Sequence, residues 1–169
     1  MNPRRRFLRL LSATAPAAIA AVGTGVARAD DGSDKAFLGA WNFVSTVSNG
    51  FSFREFVDLA DGGVLTETNS FLHTASNLNF APFGFDVVAN GSDGFGNWAR
   101  IGPGVAKAGF RKIMFNSATG ENFGDLHVTG TLMSDGVKLT GQFHVEIIDT
   151  TGNVLVDLGP VTSVGVRMI

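Results

Sequence analysis

The chain has no cysteine and no tyrosine among its 169 residues. The first absence excludes disulfides, thiolate nucleophiles and cysteine-bound metals, so the fold must be held by its core. The second leaves Phe and Trp as the aromatic stock. Phe supplies large apolar area with no polar handle, and 14 of the 15 Phe lie beyond residue 29. Helical periodicity of useful length is also missing after residue 30. So are the G-x-S-x-G, H-E-x-x-H, P-loop and G-x-G-x-x-G fingerprints. Gly94-Phe95-Gly96-Asn97-Trp98 is glycine-rich, but it leads into a strand and lacks the helix N-terminus that cradles phosphate.

The first 29 residues read as an address. Arg4-Arg5-Arg6-Phe7-Leu8-Arg9 resembles the twin-arginine export motif, and a weakly apolar run follows from Leu10 to Ala27. Ser12, Thr14, Pro16 and Gly23 dilute that run below what a membrane-spanning helix of about 20 apolar residues needs. Ala27-Arg28-Ala29 then supplies an A-x-A cleavage pattern. The expectation is a signal peptide over residues 1–29 with no membrane anchor, and one domain over residues 30–169 that is periplasmic or extracellular. Five of the 13 basic residues lie in that leader and none of the 15 acidic ones do, which leaves 8 bases against 15 acids and a net charge of −7. Such a surface argues against nucleic acid as a partner.

Alternating apolar and polar residues, punctuated by Gly, Asn and Asp, predict a run of antiparallel strands. They span about Leu38–Val47, Phe51–Leu59, Val64–Phe71, Asn97–Ile101, Lys107–Asn116, Gly124–Met133, Val137–Ile148, Val154–Leu158 and Val161–Met168. An irregular stretch covers His73–Gly94. A meander of eight or nine strands hides its edges by closing, so the expected fold class is all-β, a single up-and-down barrel of about eight strands. A two-residue turn at Asp135-Gly136 would set Leu132 against Leu139, Gly130 against Gly141 and Val128 against Phe143 on an apolar face. The opposite face would pair His127 with His144 and Asp125 with Glu146.

The first strand carries Gly39-Ala40-Trp41 and the last ends Val164-Gly165-Val166-Arg167. With the order of hairpins, this resembles the calycin superfamily, the lipocalin-like barrels. The resemblance implies that Trp41 sits at a closed end with Arg167 packed over its ring, and that the barrel encloses a cavity for an apolar small molecule. The chain has no recognisable C-terminal helix to lie beside such a barrel.

Four sets of side chains are candidates for function. Glu55 interrupts the apolar face of Phe51, Phe53, Val57 and Leu59. A three-residue loop after it would bring Glu67 opposite, and a two-residue loop would bring Thr66 and Thr68 instead. Two carboxyls inside an apolar barrel would have their pKa values pushed apart, a means of acid–base catalysis without a cofactor. His127 and His144, with Asp125 and Glu146, could hold a divalent ion, or could be ordinary polar pairs on a solvated face. Phe53, Phe71, Phe80, Phe83, Phe85, Trp98 and Phe143 are the candidate lining of a cavity, with Phe80, Phe83, Phe85 and Trp98 at its mouth. Arg54, Arg100, Arg111 and Lys112 could each meet a ligand carboxylate or face solvent. The readings that follow are a carrier of an apolar molecule, a cofactor-free isomerase, cyclase or lyase using Glu55 and Glu67, or an oligomeric scaffold.

Overall fold

The computed structural model describes residues 33–69 and 78–169; the signal peptide expected over residues 1–29 lies outside them. Ten strands form: β1 (Gly39–Val47), β2 (Ser52–Leu59), β3 (Val64–Asn69), β4 (Leu78–Asn79), β5 (Val88–Gly91), β6 (Gly94–Gly102), β7 (Val105–Asn116), β8 (Asn122–Ser134), β9 (Lys138–Ile148) and β10 (Val154–Arg167). Eight of them close into an antiparallel ring, in the order β1-β2-β3-β6-β7-β8-β9-β10, and β10 pairs back onto β1. β4 and β5 stand outside the ring. β5 continues along β7 from Met114 to Asn116, beyond the point where β6 ends its pairing at Arg111.

Strand alternation explains the core. Trp41, Phe43, Leu59, Leu65, Ala106, Leu132, Leu139 and Ile147 are buried, while their sequence neighbours on the same strands are more exposed. One end is plugged. A short 3₁₀ turn (Ser33–Ala36) leads into Phe37, whose carbonyl accepts a 2.7 Å hydrogen bond from Trp41 Nε1. The Arg167 guanidinium lies 4.3 Å from the Trp41 ring centroid and donates to the carbonyls of Leu38, Lys35 and Ala36. It thereby satisfies carbonyls of this turn and stacks on the indole with the same group.

Several expectations shift in detail. The last two expected strands are one, because bulges between Val154 and Val156 and between Asp157 and Gly159 carry β10 past Pro160, which has no N–H for the ladder. The stretch His73–Gly94 holds β4, a 3₁₀ turn at Ala81–Phe83 and β5 within its described part. The β8–β9 turn is centred on Gly136-Val137. The Asp135 carboxylate accepts from the backbone N–H of Val137 and Lys138, and this moves the register two residues along. Leu132 therefore faces Gly141, and Gly130 faces Phe143. Both faces survive, since the shift is even.

Phe rings fill the barrel where glycine makes room. The Phe143 ring folds back over Gly141, and the Phe43 ring lies over Gly165. At the β6–β7 contact, a Cβ on Gly96 would collide with the Gly109 carbonyl oxygen, which belongs to backbone and cannot step aside. Gly96→Ala is expected to cost about 1–3 kcal/mol by overpacking, read as a lowered denaturation midpoint. An unchanged midpoint would show that the two backbones can separate freely.

Candidate ligand cavity

Above the plugged end the barrel encloses a cavity of about 410 Å³, within the range of small-molecule sites. Phe43, Val57, Leu65, Phe110, Leu126, Val128, Leu132, Phe143, Val145 and Val161 form its walls. Val47, Phe51 and Phe53 reach it from the β1–β2 end, Leu158 from the β10 bulge, and Phe80, Pro82 and Phe83 from the segment joining β4 to β5. Among the described residues, only Asn49, Glu55, Asn69 and Asn79 interrupt this apolar lining.

Of the expected lining, Phe53, Phe80, Phe83 and Phe143 face the cavity. Phe85 does not; it packs against Phe123, with ring centroids 5.5 Å apart. Trp98 lies at the plugged end and not at the mouth, 5.8 Å from the Phe37 ring and hydrogen-bonded through Nε1 to the Ala60 carbonyl. Its place follows from β6 pairing close to the β2–β3 turn. Phe71 and His73 lie outside the described residues.

Glu55 is on the cavity wall, half-buried, and the surface it keeps faces the cavity. Its partner across β2–β3 is Asn69; Glu67 faces Val57, one inward position further down. The three-residue loop is present, but pairing resumes from Ala60 and Val64, so the two carboxyls are diagonal neighbours and not opposite ones. They still interact. Burial, then the negative charge of Glu67, push Glu55 up to about 7, against the pull of the Ser45 hydroxyl and Lys112. A hydrogen bond between the carboxyls raises Glu55 and lowers Glu67, which makes Glu55 the protonated partner.

Three further residues complete this cluster. Ser45 donates to Glu55 Oε1 and lies 2.6 Å from the Ser163 hydroxyl. Lys112 Nζ lies 2.6 Å from Glu67 Oε2, with both side chains fully buried. Both the ammonium charge and its hydrogen bond act on the Glu67 carboxylate. Burial also drives Glu67 upward, opposed by Lys112 and by Asn69 Nδ2, which donates to Glu67 Oε1 at 3.0 Å. Gly94 makes the arrangement sterically possible, since a Cβ there would sit 2.8 Å from Glu67 Oε2. The inward place of Lys112 was readable from parity, for Ala106, Ala108, Phe110 and Met114 share its phase on β7 while Lys107 and Arg111 do not. Ser45 and Ser163 share phase with Phe43 and Val161 in the same way.

No family model and no curated protein matches this chain. Among solved structures it is similar to a redesigned β-barrel, with 13% identity, 81% of this chain and 96% of that one covered, and a TM-score of 0.43.

On the outer wall His144 Nε2 lies 3.4 Å from Glu146 Oε1 and 3.3 Å from Asp157 Oδ1. His127 faces Glu146 across β8–β9 and is not directly opposite His144.

Proposed function

We propose that this protein binds one apolar small molecule inside the barrel and acts as a carrier or scavenger outside the cytoplasm. The observation that carries the reading is a cavity of about 410 Å³ whose lining is mainly Phe, Leu and Val. Loss of apolar surface from water would supply the affinity. Glu55 and Asn69, adjacent across β2–β3, offer a polar anchor for one ligand group. The twin-arginine-like leader supports export.

The test is native mass spectrometry of protein purified from its own host's exported fraction, followed by organic extraction. The expected result is one added small-molecule mass per chain that enters the organic phase. Val145→Phe, which projects a larger side chain into the cavity, is expected to abolish that adduct while the barrel's circular dichroism is retained. An apo mass, or an adduct that survives in Val145→Phe, overturns the reading.

A second reading has its own support. Glu55 combines access to the cavity with a pKa of about 7, which suits a general acid or base working without a cofactor. In an isomerase, cyclase or lyase of this design Glu55 would move the proton, and Glu67 with Lys112 would fix its charge state. Glu55→Gln separates the two: a carrier keeps its ligand, whereas an enzyme keeps binding and loses turnover.

A further inference from the structure

We propose that His144, Glu146 and Asp157 form a divalent metal site on the outer wall of the barrel, suited to Zn²⁺. The three ligand atoms converge from two strands and all lie within 4.8 Å of one another. Bonds of about 2.0–2.2 Å in a tetrahedral shell place neighbouring ligand atoms about 3.3–3.5 Å apart. The two distances from His144 Nε2, 3.4 and 3.3 Å, fall in that interval. Two edges of the triangle therefore already match a bound ion, and the third, between the carboxylates, is at most 4.8 Å.

The fold builds this convergence. In a regular ladder His144 and Asp157 would not be neighbours. The bulge between Asp157 and Gly159 sets Asp157 against Glu146 and Pro160 against His144. Asp157 Oδ1 also accepts a 2.8 Å hydrogen bond from the Gly159 N–H, which fixes the carboxylate's direction. An outer partner of this kind commonly orients a metal-binding carboxylate. Water would fill the remaining position of the shell. A mixed nitrogen and oxygen set with neutral imidazole suits zinc and its first-row neighbours more than magnesium or calcium. The net charge of −7 beyond the leader favours any cation.

The site has a consequence for the barrel. Its ligands lie on the reverse of the wall segment whose inward residues Phe143, Val145 and Leu158 line the cavity. A metal ion would tie β9 to the bulged half of β10 and stiffen that segment. The inference is independent of what occupies the cavity.

The experiment is calorimetric titration of ZnCl2 into the full-length protein, alongside His144→Ala and Asp157→Asn. The second variant keeps an oxygen to accept from the Gly159 N–H and so preserves the bulge. The expected result is a saturable isotherm with one ion per chain, accompanied by a raised Tm. Each variant should weaken binding at least about tenfold, the scale on which even outer partners of a metal act, and should lose the Tm increase. Absence of saturable heat in the parent protein overturns the proposal, and so does equal binding in both variants. Either outcome leaves the three residues as a polar surface cluster.

Discussion

Lys112→Met is expected to lower the stability of the barrel by about 3–5 kcal/mol near neutral pH, because it strands a buried carboxylate. In the parent protein both members of the Glu67–Lys112 pair are fully buried. Their attraction offsets the loss of hydration that each suffers. Without the ammonium, Glu67 keeps its hydrogen bonds from Asn69 and Glu55 but has no compensating charge. The carboxyl can escape only by taking a proton, so the loss should be larger at pH 8 than at pH 5. Lys112→Met combined with Glu67→Gln removes both charges and keeps an acceptor for Asn69. The double variant should return to within about 2 kcal/mol of the parent, as replacement of whole buried pairs by neutral groups usually does. Denaturant unfolding of the four proteins at both pH values measures this cycle. A single variant as stable as the parent at pH 8 would mean that water reaches Glu67.

The second large effect is a fall in stability as pH rises from about 4.5 to 7, caused by Glu55. Its folded pKa of about 7 lies above its ordinary value of 4.5. Between those two values the folded state holds a proton that the unfolded chain has released, so unfolding becomes easier as pH increases. The full stabilisation is present below about pH 4.5 and is gone above about pH 7. Integrated over that window it amounts to at most about 3 kcal/mol, reduced by whatever water the cavity admits. Glu67 is shifted in the same direction and titrates jointly with Glu55. Asp149 acts in the opposite sense: hydrogen bonds from Thr151 and Asn153 hold its carboxyl well below the ordinary range. Its contribution is present above about pH 4 and is lost on acidification. The difference between the parent and Glu55→Gln at each pH removes that background. The variant should equal the parent near pH 4 and exceed it near pH 8. A difference that stays constant across the window would place Glu55 in bulk-like solvent.

The barrel was legible in the sequence because two-residue alternation holds along most of each strand, although the β10 bulges break it. The inward and outward sets on β8 and β9 were read correctly from a turn placed one residue early, since that error shifts the register by an even number. The same tolerance explains the carboxyls. Glu55 and Glu67 share a face whether they are opposite or diagonal, and only the hydrogen bond from the Ala60 N–H to the Val64 carbonyl decides which. The contact of Trp41 with Arg167 was expected from the resemblance of Gly39-Ala40-Trp41 and the last strand to lipocalin-like barrels, and the pairing of β1 with β10 brings the two together. Trp98 and Phe85 were misplaced because a Phe or Trp on a strand has no sequence mark for height along the barrel. Lys112 was left among four cations although its phase on β7 distinguished it. Charge outweighed position in that reading, and position was the better guide. The joined β10 was hidden by Pro160, which marks a strand end in most contexts and a bulge in this one.

The pairing of β1 with β10 also has a kinetic meaning. Trp41 and Arg167 stand side by side in the ladder although almost the whole domain separates them along the chain. Contacts of such long sequence separation slow folding into the range of milliseconds to seconds. A ribosome making this chain releases β1 early and β10 last, so an unpaired edge waits throughout synthesis. A chain truncated before residue 154 would lack β10 altogether, leaving β1 and β9 as permanent open edges on which further copies could add. Synthesis of β10, more than any single contact, is the event that closes this barrel and removes its open edges.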